Sequence, residues 1–171
     1  KSRGRFEQSQ YSRALEKIKL NSKKVIWIHA ASSGEFEQVV PMLEKIDREK
    51  YFILLSFMSP TIFNIQKDTQ LADATVYHPL DFYWSAKRFI QDFNPEFYIL
   101  DRHDIWPNHI LFANKMNVKI AIINFNSDVF STKFFVGSSR TEKGKAEEQV
   151  LSAPGFARAP TPSRRRFAPP S

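Results

Sequence analysis

Val25-Ile26-Trp27-Ile28-His29-Ala30-Ala31-Ser32-Ser33-Gly34-Glu35-Phe36-Glu37 is the stretch on which the fold turns. Its first six residues form a short apolar run rich in β-branched and aromatic side chains. Such a run, with no polar alternation, reads as a strand buried on both faces. Small residues and a glycine follow. Then Phe36, Val39, Val40, Leu43 and Ile46 recur at helical spacing.

The same alternation continues along the chain. Tyr51 to Phe57 is a second strand, and Ser59 caps a helix with Pro60 at its first position. Ala74 to Tyr77 is a short third strand, followed by a helical stripe of Ala86, Phe89, Ile90 and Phe93. Phe97 to Leu100 is the fourth strand. Pro107 opens a helix with Ile110, Leu111 and Ala113 inside, and Val118 to Ile123 is the fifth strand. Strands and helices in alternation, with strands apolar on both faces, predict an α/β fold. Right-handed crossovers make it a Rossmann-like parallel sheet with helices on both faces.

The ends differ from this middle. Residues 5–19 read as an amphipathic helix with Phe6, Leu15 and Ile18 inward and basic residues outward. Residues 1–24 hold eight Lys or Arg and two acids; residues 151–171 hold four Arg and no acid. The chain's net charge of +7 therefore leaves residues 25–150 at −3. A basic chain often signals nucleic acid, but here only the ends are basic, and no nucleic-acid partner is expected. The tail contains five Pro and four Ala within 151–171 and almost nothing that packs, a disordered composition. Its abrupt change from a Lys/Phe/Ile/Asn-rich body suggests another reading frame or a fused sequence. The expected division is thus a basic helix at 1–24, a Rossmann-like domain at 25–136 and a tail at 137–171.

Composition excludes several classes. There is no cysteine, so disulfides, thiolate metal sites and cysteine nucleophiles are ruled out. No apolar run approaches the roughly 20 residues of a membrane span. Lys1-Ser2-Arg3-Gly4-Arg5 starts no signal peptide. With no initiator Met at its start, further residues are expected upstream of Lys1.

Ligands of parallel α/β sheets sit at the carboxyl ends of the strands. The loop after the first strand, Ser32-Ser33-Gly34-Glu35, can turn backbone N–H groups toward an anion at a helix N-terminus. Equally, Ser32 or Ser33 is simply an N-cap and the acids complement the dipole. There is no GxGxxG and no P-loop lysine, so no nucleotide fingerprint. Glu35 stands where a general base could reach a ligand. After the fourth strand, Asp101-Arg102-His103-Asp104-Ile105-Trp106-Pro107 is either a polar wall of a site or a charged loop. In the second case Asp104 caps the helix and Trp106 lies in the core. Too few ligands accompany His103 and Asp104 for a metal, and none is expected. After the third strand, His78 reads as a loop histidine satisfied by backbone, with ligand binding as the alternative, and Asp81 as an N-cap. Ser59 and Thr61 could touch a substrate hydroxyl or merely start a helix.

At these loops the chain resembles a known family. Val25 to Glu35 looks like a "WIHAASxGE" element, and Ser56 to Thr61 resembles a "TxxTPTG"-like loop. Tyr77 to Asp81 resembles "YxPLD", and Asp104 to Asn108 resembles "ELWPN". Their order is that of the 3-deoxy-D-manno-octulosonic acid (Kdo) transferases of lipopolysaccharide synthesis. The resemblance covers residues 3–126 and implies the amino-terminal half of a two-domain GT-B glycosyltransferase.

That resemblance implies transfer of Kdo from CMP-Kdo to a glucosamine hydroxyl of a lipid A precursor, with inversion and without a cofactor or required metal. It makes Glu35 the catalytic base and Asp104 a supporting acid shortened by one methylene. Ser32, Ser33, Gly34, Ser59, Thr61, His78 and Arg102 become the acceptor-binding set. Arg102 and His103 depart from the usual loop, and Asn124-Phe125-Asn126 stands where an Asn-Ala-Arg-like motif is common. A donor-binding carboxyl-terminal domain is not found in the sequence, so the expectation is little or no activity from this chain alone. The basic helix is expected against an anionic membrane surface, at the cytoplasmic face of the bacterial inner membrane. The rival expectation is a non-catalytic module of the same fold that binds an acidic lipid or small ligand.

Overall fold

The computed structural model describes residues 2–101, 105–126 and 129–135. Helix α1 (Ser2–Lys19) precedes strand β1 (Lys24–Ala30), helix α2 (Ser33–Leu43), β2 (Tyr51–Phe57) and α3 (Pro60–Gln66). Then come β3 (Ala74–Tyr77), α4 (Tyr83–Phe93), β4 (Phe97–Asp101), α5 (Pro107–Lys115), β5 (Lys119–Asn126) and β6 (Val129–Phe135). The strands form one sheet in the order β3-β2-β1-β4-β5-β6. β1 to β5 pair in parallel, as the alternation of strands and helices requires. β6 was not anticipated; it returns antiparallel on β5, with Asn126 opposite Val129.

Two apolar layers cover the sheet, and strand parity assigns residues to them. Val25, Trp27, Phe52, Leu54, Tyr98 and Leu100 face one side with α1, α4 and α5. Ile26, Ile28, Ile53, Leu55, Phe57 and Ile99 face the other with α2 and α3. Successive side chains point to opposite faces, so a strand covered twice must be apolar at every position. Each fully buried large side chain contributes about 1.5–3 kcal/mol.

The helices show the expected stripes with one exception. Phe36, Val39 and Leu43 of α2 are buried, as are Ala86, Phe89, Ile90 and Phe93 of α4. In α5 the buried positions are His109, Phe112 and Ala113, and Leu111 is exposed rather than inside. A polar His109 took the inner position because Asp81 supplies it with a partner, as described below. α4 ends at Asn94, whose φ of 41° is left-handed and whose N–H donates to the Ile90 carbonyl at 2.9 Å.

Residues 1–24, set apart in the sequence as a basic helix, contribute a layer of the domain. Ala14 of α1 is buried, and Leu15 and Ile18 pack against the same core. Tyr11 stands edge-on to Phe93 at 4.8 Å and Phe89 at 5.9 Å, and its hydroxyl donates to Asp92 at 2.8 Å. The Phe6 side chain lies outside the described residues, as does the tail at 137–171. No helix among the described residues is long and apolar enough to cross a membrane.

Candidate functional site

Register sets the place of the site. Ala30 lies beside Phe57, and Phe57 beside Tyr77, so β1, β2 and β3 end on one row. The loops after them therefore leave the sheet side by side. The Ser59 N–H donates to the Ala31 carbonyl at 3.3 Å, tying the second loop to the first. The His78 N–H donates to the Phe57 carbonyl at 2.9 Å, tying the third to the second.

Glu35 is held by its own loop. Ser32 is the N-cap of α2, with φ −133° and ψ 169°, and its Oγ accepts from the Glu35 N–H at 3.4 Å. The Glu35 carboxylate reaches back, and its Oε2 accepts the Ala31 N–H at 2.6 Å. This reciprocal pair is a capping box shifted outward by one residue. Of the two serines open as caps, Ser32 takes the role. A carboxylate bound by a backbone N–H at a helix start is oriented and sits in the favourable end of the dipole. Ser33 and Gly34 are exposed, and a Cβ at Gly34 would meet nothing within 4 Å. The space over the first turn of α2 is open to a ligand. Ser59 occupies the N-cap position of α3 but makes no side-chain capping bond, leaving its hydroxyl uncommitted to the helix; Thr61 is exposed beside it.

His78 behaves differently from its expected role. His78 is only 5% exposed, and neither ring nitrogen makes a well-formed hydrogen bond; the backbone satisfaction expected for it is reduced to a weak contact with the Pro79 backbone. The ring packs 3.9 Å from His29 and 4.6 Å from His109, centroid to centroid, with Trp27 and Trp106 beyond. Burial holds the His78 imidazole well below its ordinary range, and His29 and His109 push it the same way; the Pro79 backbone opposes them.

His29 anchors this layer to the sheet. Its Nδ1 lies 3.1 Å from both the carbonyl oxygen and the Oγ of Ser56. The carbonyl can only accept, so the Nδ1 carries the proton. Trp27 donates its Nε1–H to the same Ser56 Oγ at 2.8 Å and stacks on Tyr98 at 3.8 Å.

Asp81 does not cap α4, whose N-cap is Phe82 with no side-chain bond. Instead it spans to the start of α5. Its carboxylate accepts the Asn108 N–H at 3.2 Å, the His109 N–H at 3.1 Å and the His109 Nδ1–H at 2.7 Å. Its carbonyl accepts from Asn108 Nδ2 at 2.6 Å. Two N–H groups of the α5 first turn are thereby satisfied from another loop. Burial lowers the affinity of His109 for a proton, and Asp81 works against that. Sequence reading missed this link because residues 81 and 108 share no local pattern. An Asp ahead of a helix looks like that helix's own cap.

Trp106 is half-buried with its Nε1 unpartnered, its ring facing His78 and His29. Asp104, Arg102 and His103 lie outside the described residues, and so do the side chains of Asn124 and Asn126. Among the described residues no three His, Asp or Glu side chains are grouped to hold a metal.

Residues 3–133 match the family described as 3-deoxy-D-manno-octulosonic-acid transferase (kdotransferase). The 3-deoxy-D-manno-octulosonic acid transferase of Aquifex aeolicus is 31% identical over 137 residues, 78% of this chain and 38% of the relative. That of Haemophilus influenzae is 30% identical over 101 residues, 56% of this chain and 24% of the relative. The probable mitochondrial transferase of Arabidopsis thaliana is 28% identical over 115 residues, 65% and 25% of the two chains. The chain thus spans between 24% and 38% of the length of these relatives. With the match running from α1 through β6 and taking in the Glu35 loop, this chain belongs to the Kdo transferase family and forms its amino-terminal domain.

Proposed function

We propose that this domain is the acceptor half of an inverting glycosyltransferase that moves Kdo from CMP-Kdo to a lipid A precursor. The observation that carries the reading is the Glu35 carboxylate, bound by the Ala31 N–H at the open carboxyl end of the sheet. A general base must stand within hydrogen-bond reach of the proton it takes. Glu35 would accept the proton of the acceptor hydroxyl as that oxygen attacks the anomeric carbon of Kdo and CMP departs. Ser32, Ser33, Gly34, Ser59 and Thr61 would hold the acceptor together with Arg102, and Asp104 would support the base. His78 would support the floor of the site through packing rather than touch the sugar. No cofactor is invoked.

The domain works from the cytoplasmic face of the bacterial inner membrane, with the cations of α1 against anionic headgroups. Residues 1–171 alone do not turn over CMP-Kdo, because they correspond to 38% of the Aquifex relative and the reaction needs a donor site as well. The family match supports the enzyme half of this reading over a binding module of the same shape, since the relatives are named as transferases.

The test is a chimera of residues 3–133 with the carboxyl-terminal part of the Aquifex relative, assayed with CMP-Kdo and a lipid A precursor. Turnover is expected, and Glu35→Gln should lower it by about 10²–10⁴. A chimera that folds and keeps full activity with Gln at 35 would remove Glu35 from the chemistry. Turnover by residues 1–171 alone would refute the claim that they are inactive by themselves.

A further inference from the structure

One stripe of α1 does not close on its neighbours. Gln10, Arg13, Ala14 and Lys17 recur at helical spacing and share one side of the helix. Facing them, the turn between α3 and β3 brings up Lys67, Asp68, Thr69 and Gln70. Between these walls is a cleft of about 520 Å³, within the range of small-ligand sites. Arg48 also lines it, as do Ala74 and Thr75, the buried first residues of β3. The cleft is at the amino end of β3, whereas the Glu35 loop leaves the carboxyl end of the parallel strand β1. It is therefore no part of the site built around Glu35.

Charge does not balance in this cleft. Arg13, Lys17, Arg48 and Lys67 line it, against the carboxylates of Asp68 and Asp73 alone. Asp73 is committed to the fold: its Oδ1 takes the Arg48 guanidinium at 2.8 Å, and its Oδ2 the Ile53 N–H at 2.7 Å. Lys17 donates to the Asp73 carbonyl at 2.8 Å, a neutral partner that leaves its charge uncompensated. Arg13 is exposed and has no ion pair or hydrogen bond among the described residues. Arg13 and Lys17 also stand four residues apart on one helix, where like charges repel. Asp68 is the one carboxylate left to offset them.

We propose that this cleft binds a small soluble phosphate monoester rich in hydroxyls, a sugar phosphate in kind. Its phosphate would meet the Arg13 guanidinium and the Lys17 ammonium through charge-assisted hydrogen bonds. The planar fork of an arginine matches two phosphate oxygens at once. A bare phosphate would leave most of the volume empty, and the remaining lining selects the rest of the ligand. Asp68 accepts from hydroxyls, and Thr69, Gln70 and Gln10 both donate and accept. No aromatic ring among the described residues lines the cleft, so no nucleobase stacks there. Its apolar residues are alanines, which offer little surface to an acyl chain. A ligand here would bridge α1 and the turn before β3, and so stabilise α1 in its layer by mass action. Nothing in this site depends on Glu35 or on Kdo transfer.

The experiment is a titration of the whole 171-residue chain at fixed ionic strength, followed by amide NMR. The probes are glucose 6-phosphate, glucose, inorganic phosphate and CMP. Glucose 6-phosphate should bind with a dissociation constant on the order of 1 mM, inorganic phosphate more weakly, and glucose not measurably. The shifted amides should cluster at residues 10–17 and 67–75. Arg13→Gln should weaken the ester by about tenfold with the thermal midpoint of the free chain unchanged. Lys87→Gln, on α4 outside the cleft, should leave binding as it was. Unaltered affinity in Arg13→Gln, an equal loss in Lys87→Gln, or shifts at residues 32–35 instead would each overturn the site. So would the absence of any shift at about ten times the expected constant. Inorganic phosphate binding as tightly as the ester overturns the role of the hydroxyls, and tighter binding of CMP overturns the sugar class. Vesicles containing phosphatidic acid that shift the same amides, with no binding of the free ester, assign the cleft to a lipid headgroup and overturn a soluble ligand. Kdo transfer by the chimera is measured separately, so either reading can fail alone.

Discussion

In the proposed mechanism Glu35 does two jobs through one carboxylate. Oε2 closes the first turn of α2 by accepting the Ala31 N–H. A glutamine at 35 can accept that N–H through its amide oxygen but cannot take a proton. Glu35→Gln should therefore change stability by about 1 kcal/mol or less, measured by urea unfolding, while the chimera loses activity. Asp81 is different, because its carboxylate serves four donors of α5 and is only 15% exposed. Asp81→Ala leaves two backbone N–H groups and the His109 ring without it. A loss of about 2–4 kcal/mol is expected in urea unfolding, with Asp81→Asn intermediate. His78 sets a pH dependence. Its folded proton affinity lies below the ordinary value of 6.5, so the unfolded chain binds the proton first as pH falls. Stability through this ring is full above about 6.5 and is lost as pH drops toward the folded value. His109 adds to the same window, less strongly because Asp81 opposes its shift. His78→Leu should flatten the acid side of a stability–pH curve and leave stability near pH 8 within about 1 kcal/mol.

At the scale of elements, α1 decides whether its face of the sheet is dry. Tyr11 fills the angle between Phe89 and Phe93. Burial, and then Asp92, holds its hydroxyl proton above the ordinary tyrosine range. Tyr11→Ala should cost about 2–3 kcal/mol in urea unfolding, and Tyr11→Phe about 1 kcal/mol for the lost hydrogen bond. Deleting residues 1–20 would strip this layer, so a change in vesicle binding by the deletion mixes unfolding with lost charge. Lys19→Glu, at an exposed position, avoids that confusion. Lys17 also belongs to the fold, since its Nζ donates to the Asp73 carbonyl at 2.8 Å. Amphipathic spacing revealed α1 and its inward Leu15 and Ile18. It could not show that the helix lies on α4, since spacing names a face and not its partner.

For the whole molecule, five strands, their parallel pairing and the two helical layers were legible from apolar runs alternating with helical stripes. Those signals are local: side-chain period reports how many faces of an element are covered. β6 was not legible, because Val129-Phe130-Ser131-Thr132-Lys133-Phe134-Phe135 could be read neither as buried nor as alternating with certainty of partner. An antiparallel edge strand takes its place from the neighbour it pairs with, here β5. The sequence by itself determined the Rossmann-like order, the family and the place of Glu35 at the start of α2, since loop and helix start lie within four residues of one another; it left the cap open between Ser32 and Ser33. Only the tertiary structure decided that Asp81 serves α5, that His78 is buried between His29 and His109, and that Phe82, Tyr83 and Trp84 after β3 stand in water. These depend on loops 27 or more residues apart meeting at one end of a sheet, a distance across which sequence spacing carries no geometry.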